Sequence, residues 1–333
     1  MQYQNIHNLV FEGGGVEAIA YAGFIDTAIK EGILSLDRIE RVAGVSSGAI
    51  AAMQIALNYS PTDMLDIVRQ TDFSRFAETG GMISEVLRFF TKEGVYKQEF
   101  LYKYLCDLIK AKTGDENITF HGLQLMKEKK YFKDLYVIVT KLFILNNQPV
   151  AQPITFSHEH TPFARIVDVI RASASLPIVF PPMRLIKDKN DHYIIHSKGD
   201  IYVDGGIIET YPIRLFDHPR YLSTITPATR SYNQETLGLR FESFTQLEIL
   251  GEKKKNKEHI IKNALQYAEA LFYILRKGQQ ENDFATSTDR SRSILINSLN
   301  IASTQFDLTK QQKEELLASG KKSALQMIKI KVV

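Results

Sequence analysis

The chain has 333 residues, of which 44% are hydrophobic, ample for a large buried core. Its 41 basic and 38 acidic side chains leave a net charge of only +3, which argues against a dedicated nucleic-acid binder. A single cysteine, Cys106, excludes an internal disulfide, and its setting in LYKYLCDLI predicts a buried structural thiol on a helix.

The N-terminal stretch MQYQNIHNLV lacks a basic region followed by a long apolar one, so no signal peptide is expected. No segment approaches the ~18 apolar residues of a membrane span. The expected location is therefore cytoplasmic, or one reached without a Sec signal peptide. Asn8 to Phe11 reads as a short buried strand. Gly13, Gly14 and Gly15 follow, then VEAIAYAGFIDTAIKEG, whose apolar residues recur at helical spacing up to a C-capping Gly32. Arg41 to Gly44 reads as a second strand and Ser47 onward as a second helix. This repeated strand–turn–helix order predicts an α/β fold with a mainly parallel sheet.

Residues 61–133 read as mostly helical and charged, a peripheral or cap layer. Asp134 to Leu145 is the clearest strand, with QPITFS pairing near it. ARIVDVIRASASLP is a helix halted by Pro177. YIIHS, IYVDGG and TLGLRF supply further strands, Glu258 to Lys277 an amphipathic helix, and ILINSLN a late strand. Thr309 to Gln312 carries the capping-box pattern that opens a last helix. No repeat and no long Gly/Ser/Pro linker divides the chain, so one domain over 1–333 is expected.

Gly13-Gly14-Gly15-Val16-Glu17-Ala18 fits the dinucleotide fingerprint G-x-G-x-x-G/A. That fingerprint wants an acidic residue at the end of the second strand. The chain has Gly44-Val45-Ser46-Ser47-Gly48 there instead. No Gly-Lys-Ser/Thr follows the glycines, which excludes a P-loop. GVSSG is the G-x-S-x-G pattern of a nucleophile elbow, where a serine raised on a sharp strand-to-helix turn needs small neighbours. Beside such a serine, the bare amides of Gly13, Gly14 and Gly15 suit an oxyanion hole, whose donors must come within about 3 Å.

A nucleophilic serine also needs a proton acceptor. None of the eight histidines sits in a catalytic pattern. His158 and His160, flanking Glu159, are too few for a metal site, so no metal is expected. Asp204 ends an apolar strand, and Gly205 and Gly206 leave its carboxylate open on one side. A plain strand-ending turn is the competing reading.

These segments together resemble the patatin-like phospholipases of bacterial type. The resemblance rests on Gly13-Gly14-Gly15, Gly44-Val45-Ser46-Ser47-Gly48 and Asp204-Gly205-Gly206, and on Arg171 to Pro182, which matches R-A-S-x-S-x-P-x-x-F-P-P. It continues through YPI, ETLGLR and STQFDLT, over roughly residues 8–325. It implies a three-layer α/β/α fold with a mainly parallel central sheet. It also implies a Ser–Asp dyad in which Ser46 is the nucleophile and Asp204 the base, an oxyanion hole from Gly13, Gly14 and Gly15, and supporting roles for Gly44, Gly48, Gly205 and Gly206. No cofactor is implied. The implied substrate is a fatty-acyl ester of a glycerolipid, met at a peripheral membrane surface. Burial of Asp204 would raise its pKa from ~3.9 toward the working pH.

Two positions depart from the family pattern, which follows its glycines with any residue, then Arg or Lys, then Gly. Here these are Val16, Glu17 and Ala18. A charge about 8 Å from an oxyanion at an effective dielectric of ~20 is worth ~2 kcal/mol, so reversing it would cost on the order of 10³ in rate, less if Glu17 is exposed. Ala18 costs little if its φ is negative. Glu209-Thr210 also replaces a common pair of asparagines. Two alternatives stay open: a Ser–His–Asp hydrolase using Ser46, Asp204 and His218, and a non-catalytic lipid-binding or regulatory protein on the same scaffold. Lys253-Lys254-Lys255-Asn256-Lys257 reads as a solvated loop or a contact for anionic headgroups. Phe89, Phe90 and Val95 read equally as core or as an acyl entrance.

Overall fold

A computed structural model describes residues 5–77, 96–222, 232–242, 261, 264–283 and 286–330. Lys253 to Lys257, Phe89, Phe90 and Val95 lie outside these residues. The strands are β1 (Asn8–Phe11), β2 (Arg41–Val45), β3 (Asp134–Leu145), β4 (Gln148–Phe156), β5 (Met183–Lys187), β6 (Tyr193–Ile195), β7 (Asp200–Asp204), β8 (Thr236–Glu242) and β9 (Ser293–Asn297). The helices are α1 (Ile19–Lys30), α2 (Ser47–Ala56), α3 (Pro61–Gln70), α4 (Glu99–Thr113), α5 (Phe120–Lys130), α6 (Ile166–Ser173), α7 (Ala264–Asp283), α8 (Ser287–Ser291) and α9 (Lys310–Ile330).

Within the described residues the strands form one sheet in the order β6-β5-β7-β3-β2-β1-β8-β9, with β4 on the other edge of β3. The centre, from β3 to β9, is parallel. The β4, β5, β6 and β7 pairings are antiparallel. Every residue of β1, and of β8 up to Phe241, is buried. Such continuous burial is what a parallel sheet covered on both faces requires.

Alternation along the strands divides the core between two faces. Leu9, Phe11, Val42, Leu135 and Val137 join the large cluster formed with the helices. Val10, Ala43 and Tyr136 point the other way, onto Tyr211, Ile213, Phe216 and Tyr221. This period of two follows from the pleat. The result is a three-layer α/β/α arrangement. Residues 61–133 contribute α3, α4 and α5 to it, and Cys106 is buried on α4.

Two local signals in the sequence are met. Gly32 has φ +63°, the left-handed turn that ends α1. Thr309 Oγ1 accepts from Gln312 N at 3.1 Å while Gln312 Oε1 accepts from Thr309 N at 2.9 Å, closing the capping box before α9. After the glycine run, however, the chain makes a 3-10 turn over Gly15–Ala18, and α1 begins only at Ile19. The cause is Gly15, whose φ of +55° is incompatible with a helix starting there.

Candidate active site

β3 sets the position of everything else. Its residues up to Ile138 pair with β2 on one edge, while β4 runs unbroken along the other edge. β2 stops at Val45, opposite Ile138, and β7 takes over the same edge, with Asp204 opposite Val139. β2 is parallel to β3 and β7 antiparallel, so their C-terminal ends meet head to head. Ser46 follows Val45 directly, so Ser46 and Asp204 adjoin although 158 positions separate them in sequence.

Where one strand gives way to another, a ladder donor and acceptor lose their partners and must find others. The buried Ser173 hydroxyl supplies both. Its Oγ accepts from Ser46 N at 2.8 Å and donates to Ile138 O at 2.6 Å. Two residues on, Ser175 O accepts from Asp204 N at 3.0 Å. The R-A-S-x-S segment therefore holds both ends of the junction.

Ser46 has φ +53° and ψ −126°, a conformation that costs a non-glycine residue of order 1–3 kcal/mol. The neighbouring glycines make room for it. A Cβ on Gly44 would lie 2.2 Å from Gly48 O, and one on Gly48 would lie 2.5 Å from Glu12 O. A Cβ on Gly205 would lie 2.4 Å from Ile138 O. Asp204 is fully enclosed. Its Oδ1 accepts from Gly206 N at 2.8 Å, and the Ser46 hydroxyl is hydrogen-bonded to the same carboxyl group. Burial outweighs both hydrogen bonds and raises its pKa to about 7.

The three glycines differ in what their amides do. Gly13 N donates to Thr210 O at 3.1 Å and so ties the loop to the segment after Asp204. Gly14 N donates to the Ser47 hydroxyl at 3.1 Å, a partner that can rotate away. Gly15 N has no hydrogen-bond partner among the described residues. Of the three amides expected to form an oxyanion hole, that of Gly13 is therefore already engaged. Ser303 O, from the STQF segment, accepts from Val16 N at 3.0 Å and would lie 1.8 Å from a Cβ on Gly15.

These residues edge one cavity. Gly14, Gly15, Ser46, Ser47 and Asp204 form part of its polar lining, and Ile50, Val68, Phe76, Leu101, Leu176, Phe180, Phe272 and Phe306 much of its apolar wall. Ala18 has φ −59°, so its methyl group is accommodated without strain. Glu17 is only 6% exposed, which removes solvent screening as a reason to discount its charge. Its carboxylate lies against the Cα of Gly14, and Glu17 is not part of the cavity wall.

Among the described residues no histidine lines the cavity. His218 instead accepts from Arg220 N at 3.3 Å through Nδ1 in a surface turn. That leaves the Ser46–Asp204–His218 alternative without its base. No cluster of three or more metal-ligating side chains occurs among the described residues, and no helix there is long and apolar enough to cross a membrane.

One contributor gave no signal in the sequence. Gln279, on α7, accepts from Thr210 N at 3.0 Å and donates to Gly206 O at 3.2 Å and Ile207 O at 2.9 Å. Thr210 in turn holds Gly13, so one side chain ties the Asp204 loop and the glycine loop together. It supports the loop in which Glu209-Thr210 replaces two asparagines. As a polar residue on an amphipathic helix it looks like any solvated position.

A strained serine and a buried carboxyl thus meet at one strand junction of the α/β sheet, at the edge of the cavity. The patatin-like phospholipase model matches residues 9–217. The chain belongs to that family. An uncharacterised protein of Acanthamoeba polyphaga mimivirus is 28% identical over 330 residues, covering 97% of this chain and 94% of its own. YqhO of Bacillus subtilis (strain 168) is 26% identical over 322 residues, covering 94% of each. The probable lipid hydrolase 463L of Invertebrate iridescent virus 6 is 23% identical over 206 residues, covering 62% of this chain and 61% of its own. The structure of VipD from Legionella pneumophila shares the fold with a TM-score of 0.57 at 17% identity, covering 98% of this chain and 67% of VipD.

Proposed function

We propose that the protein is a lipid acyl hydrolase that cleaves fatty-acyl esters through a covalent acyl-enzyme, working as one catalytic unit. The observation that carries this reading is the contact between the strained Ser46 and the buried Asp204, at the edge of a largely apolar cavity. Asp204, with a pKa of about 7, is substantially ionised at neutral pH and takes the Ser46 proton as Oγ attacks the ester carbonyl carbon. The negative oxygen of the tetrahedral intermediate is held by Gly15 N and by Gly14 N once Ser47 turns aside. The intermediate collapses, the C–O bond to the alcohol breaks, and Asp204 returns the proton to the leaving oxygen. Water then attacks the acyl-enzyme carbonyl with Asp204 again taking a proton, the bond to Ser46 Oγ breaks as Asp204 returns that proton to it, and the fatty acid leaves.

Family membership and the likeness to a probable lipid hydrolase support a fatty-acyl ester as substrate. The apolar wall beside Ser46 suits the acyl chain. Fatty-acid release from phospholipid vesicles by wild type, Ser46→Ala and Asp204→Asn is the direct test. Both variants should lose turnover and Ser46→Ala should lose fluorophosphonate labelling; wild-type turnover in either variant would sink the dyad.

Buried Glu17 favours one second reading, lipid binding without turnover. That reading expects Ser46 to resist the fluorophosphonate while the protein still binds vesicles.

A further inference from the structure

Gln54 is a polar side chain in the cavity wall that the proposed reaction does not use. On α2, Ser47, Ile50, Ala51 and Gln54 share one face at helical spacing, and all four line the cavity. Gln54 is 6% exposed, and its side-chain amide has no hydrogen-bond partner among the described residues. It lies eight residues beyond Ser46, about 12 Å along the helix at the usual rise. Around it the cavity is lined by apolar side chains such as Ile50, Val68 and Leu101.

A carboxamide carries two donors and an acceptor, and enclosing it without partners is unfavourable. Something that enters the cavity must meet it. A plain hydrocarbon chain laid along α2 from an ester at Ser46 would displace solvent from Gln54 and leave the amide unpaired. A chain with an oxygen at that depth, roughly midway along a long acyl group, would satisfy it. Sites that hydrogen-bond a substrate group discriminate strongly against the analogue lacking it.

We infer that Gln54 is a specificity-determining residue, and that the cavity takes acyl chains carrying a mid-chain hydroxyl or keto oxygen in preference to unsubstituted ones. This inference rests on the acyl-hydrolase reading for its orientation, with the ester at Ser46 and the chain running toward Gln54. Tyr104 also lines the cavity, and its hydroxyl is hydrogen-bonded to Thr71.

Two phosphatidylcholine vesicle preparations test it, one with a mid-chain hydroxylated acyl chain and one with the unsubstituted chain of the same length. Wild type should cleave the hydroxylated ester with at least ~10-fold higher kcat/KM. Gln54→Met, close in shape and without hydrogen-bonding capacity, should bring the ratio to within about twofold, mainly by speeding the unsubstituted ester. Equal cleavage of both by wild type, or an unchanged ratio in Gln54→Met, overturns the inference.

A binding measurement separates its failure from that of the hydrolase reading. A mid-chain hydroxy fatty acid and its unsubstituted parent are titrated into Ser46→Ala and into Ser46→Ala/Gln54→Met. Tighter binding of the hydroxy acid, lost with Gln54, supports the inference even if no ester is cleaved. Equal binding of the two acids counts against it whatever the turnover.

Discussion

Val45 and Asp204 pair with consecutive residues of one strand, Val45 with Ile138 and Asp204 with Val139. The register of β3 therefore sets the distance between Ser46 and Asp204. The Ser173 hydroxyl closes the seam between the two abutting strands.

Asp204 makes activity and stability depend on pH in opposite senses. In the proposed reaction Asp204 is the base and must be ionised, so kcat/KM should rise with pH through about 7 and level off above. For stability, a carboxyl whose pKa is raised on folding, from 3.8 to about 7, is held more tightly protonated by the native state. Its contribution is complete below pH ~4 and is lost as pH rises to about 7. At ~1.36 kcal/mol per pH unit the loss approaches ~4 kcal/mol as an upper bound. Asp204→Asn should thus be inactive yet melt higher than wild type at pH 8, with the difference gone near pH 4. Thermal melts of the two proteins across this range check the sign.

Ser173→Ala should be costly although Ser173 takes no part in the chemistry. It strands Ser46 N–H and Ile138 C=O inside the protein, at about 1–3 kcal/mol of stability. Small displacements of a nucleophile are expensive, so kcat should fall ~10–100-fold with KM nearly unchanged. Steady-state kinetics beside a denaturant melt separate the two effects, and a wild-type kcat would refute the role.

Gly15 and Gly32 both have positive φ, but only Gly15 is crowded. Gly32 faces open space, so Gly32→Ala should cost ~1–2 kcal/mol and leave activity intact. Gly15→Ala drives a methyl group into Ser303 O and must displace the loop. Loss of one oxyanion donor alone would lower kcat by ~10²–10³. Equal activities in the two variants would remove Gly15 from the oxyanion hole.

Gln279→Ala removes three hydrogen bonds that align the Asp204 and glycine loops. An order-of-magnitude fall in kcat, with KM within about twofold, is expected of such a positioning residue. Gln279→Glu keeps the acceptor for Thr210 N but sets a carboxylate against the carbonyls of Gly206 and Ile207, and should be no better. The pH–rate profile adds a second readout, since loosening the loop around Asp204 should lower its apparent pKa toward that of a solvated carboxyl.

Glu17→Gln tests the acidic substitution in the glycine loop. A rise in kcat would show that its charge acts on the oxyanion. An unchanged kcat would mean that the charge of Glu17 is neutralised by its surroundings.

Local patterns in the chain carry much of the architecture. NLVF, RVAGV and TLGLRF are mostly apolar because both faces of a parallel strand are covered, and GGG, GVSSG and YVDGG mark backbone that side chains would obstruct. These are properties of neighbouring residues, so they can be read along the chain. The 3-10 turn at Gly15, the partner of each glycine amide and the seam at Ile138–Val139 depend on residues tens to hundreds of positions away. Burial of Glu17 and the hydrogen bonds of Gln279 are likewise invisible in a linear pattern, since a polar side chain looks the same whether it meets water or a carbonyl. The sequence by itself determined which segments could approach closely. The tertiary structure decided which groups they meet, because hydrogen bonding and desolvation act through space.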